Sequence, residues 1–409
     1  MTQLESFRID QPELPPEYYV NPHPFFHEVR AEDPVHWSDQ WDSWLLLGYH
    51  DVSTVLKDHK HYSASGKSGR YMRNFDPELR KKLKPLEENF STGLINSDPP
   101  EQTRLRGLIQ KAFTRKIMEG MRSEIQEVVD SLLDKVQEKG GMDLIADFAY
   151  LLPTTLIARM LGVPESDREK FNLWTDHING IHTSRKALED RFLNAQDNLL
   201  QMREYFRQLF QARKQNPQDD LMTRLAEADI DGSKFTENEL LASNVTLLTA
   251  GYETTISLLS CGMLCLLQNP DQMELLKSDP SLIKGAVEET LRYVSPVQRQ
   301  LRVVKEDIEL GGKKLSKGDL AACMLGAANS DPAQFPDPDT VDITRQNNRH
   351  VGFGNGNHLC IGAPLARVEA EVAYLTLLER FPNMSLATQE LKWQENVLIR
   401  RMESLPVKF

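Results

Sequence analysis

Residues 353–362, FGNGNHLCIG, set one cysteine among three glycines and two places after a histidine. Gly354, Gly356 and Gly362 permit positive φ angles, so the backbone can wrap the Cys360 sulfur and turn N–H groups toward it. The stretch APLARVEAEVAYLTLLERF follows with helical spacing, which puts Cys360 at or just before a helix N-terminus, where the dipole favours thiolate over thiol. Such a thiolate serves as a nucleophile or as a metal ligand. A nucleophile wants a histidine base on its flank and an open cleft, whereas His358 lies on the same tight loop. Zinc wants three further ligands, and Cys261, Cys265 and Cys323 offer no C-x-x-C pairing. A single thiolate as the only protein ligand points to an iron whose other positions belong to a macrocycle, namely haem. An inert buried cysteine in a glycine turn is the competing reading.

A second constellation, AGYETT at residues 250–255, lies in the middle of a long helical pattern. Thr236 and Glu239 make a capping box, and the pattern continues unbroken to CLLQNP, where Pro270 stops it. At 1.5 Å per residue this is a rod of roughly 48 Å, apolar all round on both sides of its centre, as in a helix buried in a large core. Glycine, an acid and two threonines conflict with that setting: Gly251 costs about 1 kcal/mol of helix propensity, and an unpartnered buried carboxylate far more. Conflicts of this kind mark functional sites. The structural alternative has Thr254 and Thr255 bonding back to the preceding turn and Glu253 paired with a distant arginine.

The elements that must position these residues are mostly helices. Ile117, Met121, Ile125, Val128, Val129, Leu132, Leu133 and Val136 recur at helical steps until Gly140 and Gly141, predicting one amphipathic helix. Similar patterns span 147–161 and 188–213. Strand-like stretches are short: SWLLLGY, RQLRVV, DIELGGKKL with its Gly-Gly turn, and DLAACML. The chain has no repeat and no low-complexity tract, so the expectation is one mainly α domain with small β-sheets over residues 1–409. With 409 residues, 40% hydrophobic and 26% charged, it can bury a large core. Its start, MTQLESFRIDQPELPPEYY, has acids and prolines where an export signal needs a basic start and an apolar run. The longest apolar-rich run, 256–267, is short of a membrane span, so a cytoplasmic location is expected. The formal net charge of -12 argues against nucleic-acid or anionic-membrane binding, while local basic clusters remain able to meet an acidic partner.

Taken in order, these motifs resemble those of the cytochrome P450 family. FGNGNHLCIG is similar to its haem-binding signature, and AGYETT to the oxygen-activation motif of its long central helix. EETLR, with Glu289 and Arg292, and PDPDTVDITR, with Arg345, resemble its Glu-Arg-Arg structural triad. SDPPEQTRLRGLIQKAFT resembles the helix that closes over one haem edge, and RVVKEDIELGG with LSKGD the strand pair carrying another haem anchor. The match extends from about Trp37 to the C-terminus and is closest in style to soluble bacterial members.

The resemblance implies haem b (iron protoporphyrin IX), with Cys360 as the axial ligand to the metal and Phe353 and Gly354 packed beside it. Arg106, Arg302 and His358 correspond to propionate partners; Gln102 stands where a histidine is commoner, and His350 lies nearby in sequence. Thr254 is the implied alcohol and Glu253 the implied acid beside a kink at Gly251, with Ala250 over the distal face. The implied reaction is monooxygenation, in which dioxygen, two electrons and two protons place one oxygen atom in a C–H bond or double bond of an apolar organic substrate. The acid–alcohol pair favours this route over a peroxygenase or a haem-based sensor. Electrons would come from a separate ferredoxin or flavodoxin, with Arg104, Lys111, Arg115 and Lys116 as the docking patch. Substrate contacts are expected in residues 63–94, around 171–181, at Leu247 and Leu248, and in SPVQRQ, with Val297 in an apolar wall and Gln298 as a polar anchor.

Overall fold

Thr236 opens a helix of 32 residues, Glu237–Gln268. The capping box is formed: the Thr236 hydroxyl accepts from the Glu239 N–H at 3.3 Å, and the Glu239 carboxylate accepts from the Thr236 N–H at 2.8 Å. Asn269 ends the helix and Pro270 begins the next, Pro270–Ser278. In length and composition this helix could cross a membrane, but 78% of its most apolar window is buried in the protein, so it serves as the core around which other helices pack. Helices Leu151–Met160, Glu189–Gln215, Ile283–Val294 and Ala363–Arg380 all pack against it. The computed structural model describes residues 14–67, 72, 75–182 and 189–409. Expectations for the first thirteen residues, for 68–71 and 73–74 within the 63–94 segment, and for position 188 at a helix start lie outside the described residues.

The strands are β1 (Val35–Ser38), β2 (Ser43–Leu46), β3 (Tyr62–Ser63), β4 (Gly141–Asp143), β5 (Arg299–Val304), β6 (Ile308–Leu310), β7 (Lys313–Leu315), β8 (Leu320–Met324), β9 (Ser385–Leu386) and β10 (Pro406–Lys408). The main sheet has the order β1-β2-β8-β5-β3, with β2 and β8 parallel and the other pairs antiparallel. SWLLLGY, RQLRVV and DLAACML are thus three neighbouring strands of one sheet, and DIELGGKKL is the β6-β7 hairpin turning on Gly311 and Gly312 at φ +56° and +74°. The pairing of β3 with β5, Ser63 opposite Val303, brings the start of the 63–94 segment to Arg302.

Two helical expectations need correction. The single helix expected over 117–136 is two, Arg115–Gly120 and Arg122–Asp134, joined at Met121 with φ -77° and ψ 0°. Its apolar stripe survives because Met118, Met121, Ile125 and Val129 from both pieces are buried in the same core. Likewise the 147–161 pattern becomes a regular helix only over Leu151–Met160, after a separate turn at Ile145–Ala149.

The Glu-Arg-Arg set is assembled as the resemblance implied. In the helix Ile283–Val294, Arg292 donates from Nε and Nη2 to the two Glu289 carboxylate oxygens at 2.9 and 2.8 Å. Arg345 adds Nε at 3.1 and 3.2 Å, and the Asp342 N–H and Asn348 amide complete the shell at 3.0 Å each. Arg292 also donates to the carbonyls of Asn329, Pro338 and Thr340, fastening the 329–345 loop to this helix. Both Glu289 and Arg292 side chains have no solvent exposure, so removing one charge strands the other. Glu289→Gln is expected to destabilise the fold by about 3–5 kcal/mol in chemical denaturation; a loss under about 1 kcal/mol would show that the cluster does not anchor the loop.

Candidate active site

Two left-handed glycines shape the cysteine loop, Gly354 at φ +72° and Gly356 at φ +66°. A Cβ on Gly356 would meet the Leu56 carbonyl oxygen at 2.7 Å and the Lys57 Cα at 2.8 Å, so only glycine lets the loop lie against the helix Tyr49–Lys57. Gly362 does not follow: its φ is -84°, and it serves as the cap of the helix Ala363–Arg380. The Cys360 N–H donates to the Phe353 carbonyl at 2.9 Å, closing the loop on itself. Arg367 lies 4.6 Å over the Phe353 ring and holds Glu288, so Phe353 is fixed beside the sulfur loop.

Cys360 is exposed, whereas Cys261, Cys265 and Cys323 are buried. The backbone N–H groups of Gly362 and Ala363, with Arg106 and Arg367 more distantly, draw the thiol toward ionisation. Desolvation by the surrounding protein pushes the Cys360 thiol up, and the helix-terminal N–H groups oppose it in the sense expected of them. A coordinated cation would reverse this, since a ligating thiol loses its proton outright.

Gln102 and Arg106 stand one turn apart on the helix Glu101–Ala112, facing the loop. Buried Gln102 donates to the Asn357 carbonyl at 2.5 Å, and Arg106 donates to those of Asn357 and Leu359 at 3.3 and 2.8 Å. Gln102 is therefore a strut for the loop, with its amide donor spent there. Arg302, on β5, is only 4% exposed and donates to the Leu301 carbonyl at 2.9 Å and the Gln300 amide oxygen at 3.4 Å. It makes no ion pair among the described residues, an expensive condition for a buried guanidinium.

Lys67 joins this cluster and was not foreseen. Burial, then the Arg302 charge, lower its ammonium to about 7, against some support from Asp98. No pattern in its own stretch marks it, since the β3-β5 pairing alone brings it there. His358 feels burial first and then Arg302 and Lys67, which lower it to about 3. His350 is turned away: its Nε2 meets Glu288 at 3.1 Å, and burial notwithstanding, His350 and Arg367 hold Glu288 down to about 2. That occupies His350 with a carboxylate of the protein itself.

On the central helix, Leu247, Ala250, Gly251 and Thr254 fall at i, i+3, i+4 and i+7, one face of the rod. Ala250 and Gly251 are exposed and Leu247 and Thr254 half-buried, within a helix otherwise mostly buried from Leu240 to Leu266. This stripe lines open space at the middle of the core helix. The helix continues through Gly251 without interruption. Every contact of the structural alternative is present: Thr254 donates to the Ala250 carbonyl at 2.7 Å, Thr255 to that of Gly251 at 2.9 Å, and Arg401 lies 3.8 Å from Glu253. The two hydroxyls nevertheless differ, because Thr255 is buried and Thr254 borders the open stripe. Glu253 is 7% exposed; burial chiefly, and the Asp176 charge, push its carboxyl up, while Arg401 and Asn179 oppose.

Other expected contacts divide. Val297 is half-buried, and the Gln298 amide donates to the Val294 and Ser295 carbonyls at 3.2 and 2.5 Å, while its buried amide oxygen has no hydrogen-bond partner among the described residues. Phe171 is buried among Trp174, Tyr205 and Phe206. Arg104 is bound in ion pairs with Glu101 and Glu239, which removes it from a free docking patch. Lys111 donates to the Asp229 carbonyl at 2.7 Å, Arg115 pairs with Glu119 at 2.7 Å, and Lys116 is exposed.

The donor set suits haem: one accessible sulfur ringed by N–H groups, a buried arginine lacking a carboxylate beside Lys67 and Arg106, and an open stripe on the core helix. A family model described as Cytochrome P450 matches residues 42–401. Cytochrome P450 107B1 of Saccharopolyspora erythraea is 41% identical, over 90% of this chain and 89% of its own length. The biotin biosynthesis cytochrome P450 of Bacillus subtilis is 38% identical, over 96% and 97%. Among solved structures, P450BioI in complex with an acyl carrier protein ligated to hexadec-9Z-enoic acid superposes with a TM-score of 0.89 at 36% identity, covering 96% of this chain and 99% of that one. The chain belongs to the cytochrome P450 family of haem b monooxygenases.

Proposed function

We propose that this chain, acting as one domain in the cytoplasm, inserts one atom of dioxygen into a C–H bond or double bond of a small apolar molecule. Electrons come from a separate ferredoxin or flavodoxin. For a C–H bond the balance is RH + O2 + 2 H+ + 2 e- giving ROH + H2O. The observation that carries this reading is the open stripe on the core helix, where Thr254 borders the space and Glu253 stands behind it. Haem bound through Cys360 supplies the dioxygen-binding and electron-accepting chemistry.

The chain's own groups do the rest. Arg106, Arg302 and Lys67 are the cations for two propionates, with His358 as a neutral donor whose affinity for a proton rises beside an anion. The Thr254 hydroxyl, whose proton goes to the Ala250 carbonyl, keeps its lone pairs toward the space and can hold a water there. Glu253, with its carboxyl pushed up by burial, retains a proton closer to neutral pH than an exposed glutamate and can release it inward. Leu247, Ala250 and Val297 give the space an apolar wall that orients the substrate and excludes water. Holding both acid and alcohol supports dioxygen chemistry over a peroxide-only or sensing role, neither of which needs proton delivery. For the electron donor we favour a face containing Lys111, Arg115 and Lys116. Hexadec-9Z-enoic acid on a carrier protein, myristic acid and testosterone are named with solved neighbours, and 6-deoxyerythronolide B with a relative. All suit an apolar wall and serve as probes in a spectral-shift screen.

Three results are expected. The carbon monoxide difference spectrum of the reduced protein has the red-shifted Soret band of thiolate ligation, and Cys360→Ala removes it; a band that persists would exclude this cysteine. Thr254→Ala keeps haem but diverts electrons to hydrogen peroxide, read as peroxide formed per NAD(P)H with a bound probe, and unchanged coupling would remove the hydroxyl from proton delivery. Arg302→Leu weakens haem binding by about 10–100-fold in a haem titration, while the haem-free chain loses no stability, because the substitution removes a buried charge without an ion partner.

A further inference from the structure

A small cavity lies between the helix Pro16–Val20 and the C-terminal segment 393–402, with Tyr18, Gln298, Trp393, Asn396, Arg400 and Arg401 on its wall. At about 10 Å³ it has room for one water-sized occupant. Its far wall is tied to the 296–298 stretch: the Gln298 N–H donates to the Leu398 carbonyl at 2.8 Å, the Arg400 N–H to that of Pro296 at 3.0 Å, and Val297 pairs with Ile399. Three N–H donors of the lining side chains are buried without a hydrogen-bond partner, namely Asn396 Nδ2, Arg400 Nε and Arg401 Nε. The Asn396 amide has one orientation, because its oxygen accepts the N–H groups of Leu398 and Ile399 at 2.9 and 3.0 Å. Gln298 Oε1, an unpartnered acceptor, is turned to Gly326, where an added Cβ would come within 2.7 Å of it. Among the described residues Arg400 makes no ion pair; its Nη2 donates to the Val20 carbonyl at 2.5 Å, and it lies 4.8 Å over the Trp393 ring. Arg401 stands 3.8 Å from Glu253, too far for a hydrogen bond. Burial pushes the Glu253 carboxyl up, which weakens it as a counter-charge for either arginine.

We propose that this cavity binds one small monovalent anion of the halide class, chloride being the common example, and that the anion is the counter-charge Arg400 lacks. A guanidinium whose Nε is enclosed without an acceptor is costly, and so is each unmade N–H bond. Water is the neutral alternative, but it accepts only two hydrogen bonds, leaves one of the three donors bare and cancels no charge. A halide accepts from all three and neutralises a guanidinium at the same time. Sulfate, phosphate and carboxylates are too large for the space, whereas a halide needs the walls to give only slightly, which the flexible arginine stems allow. An anion held here ties the N-terminal helix, through Arg400 and the Val20 carbonyl, to the 393–402 segment and its pairing with Val297. The site is separate from the cysteine loop, and the inference does not rest on the monooxygenase reading.

The test follows urea unfolding of the haem-loaded protein at constant ionic strength while sodium chloride is exchanged stepwise for sodium gluconate, whose anion does not fit the cavity. Chloride is expected to stabilise saturably, so that at ten times its dissociation constant the unfolding equilibrium constant falls about tenfold. Binding is read directly as broadening of the chloride NMR line by the reduced, carbon monoxide-bound protein, in which the iron has no open position for a halide, and bromide is expected to reverse it. Asn396→Asp sets a carboxylate oxygen beside the two guanidinium groups. In gluconate this variant is expected to be about as stable as the parent in chloride, and both the chloride dependence and the broadening disappear. Arg400→Gln removes the charge that calls for the anion and is expected to abolish both readouts; should that variant fail to fold, Asn396→Asp decides. Equal stability of the parent in chloride and gluconate, an unbroadened chloride line, or an undiminished chloride response in Asn396→Asp overturns the proposal and leaves a buried water as the occupant.

Discussion

The carbonyl groups of Asn357 and Leu359, on the loop that carries Cys360, are held as hydrogen-bond acceptors by Gln102 and Arg106. That grip decides where the sulfur lies. A loop of glycines has more conformations to lose than any other, and the two left-handed residues alone would leave the cysteine poorly located. Side chains from a distant helix fix the carbonyls, the helix Tyr49–Lys57 presses on Gly356, and Asn355 donates to Ser53 at 3.2 Å. Permissive sequence and restrictive packing together give one sulfur position. The buried Glu289 cluster ties the 329–345 loop to its helix, and Asn329 holds the Val351 N–H at 2.7 Å just before the cysteine loop.

The charge pattern runs opposite to the whole chain. The protein has a formal charge of -12, yet Arg106, Arg302 and Lys67 converge where burial makes each costly. Asp98, the acid that bears on this group, is itself engaged by the Ser63 hydroxyl and the Ala64 N–H. The consequence is visible in the neighbours: Lys67 is pushed down to about 7 and His358 to about 3. Two carboxylates brought into such a field relieve repulsion that the protein otherwise carries, so part of the attraction for a dianionic cofactor is stored in the fold beforehand.

What was legible in the sequence followed from local rules. The central helix announced itself through a capping box, a proline stop and apolar runs on both sides of a polar centre, and β5, β8 and the β6-β7 hairpin through short apolar runs and paired glycines. Less visible were features made by long-range pairing. Lys67 stands in a stretch without pattern, Arg401 and Asp176 are ordinary surface-type residues until folding sets them beside Glu253, and β4, β9 and β10 are two or three residues long. The setting of His358 was equally hidden, because its neighbouring cations come from β5 and from the segment after β3. The break at Met121 escaped notice because both helical pieces turn their apolar residues to one core.

The polar centre of the buried helix shows why local hydrogen bonding does not decide function. Thr254 and Thr255 make the same i to i-4 bond, so neither hydroxyl is an unsatisfied donor that would demand a role. What separates them is a rotation of about 100° along the helix. It carries Thr255 into packed protein and Thr254 to the stripe with Ala250 and Gly251, whose small side chains leave room there. Gly251 would meet only Ile157, at 4.0 Å, if it carried a Cβ, so its value lies less in avoiding a clash than in keeping that space open. Back-bonding commits the Thr254 donor to the helix and leaves its oxygen able to accept at the exposed stripe.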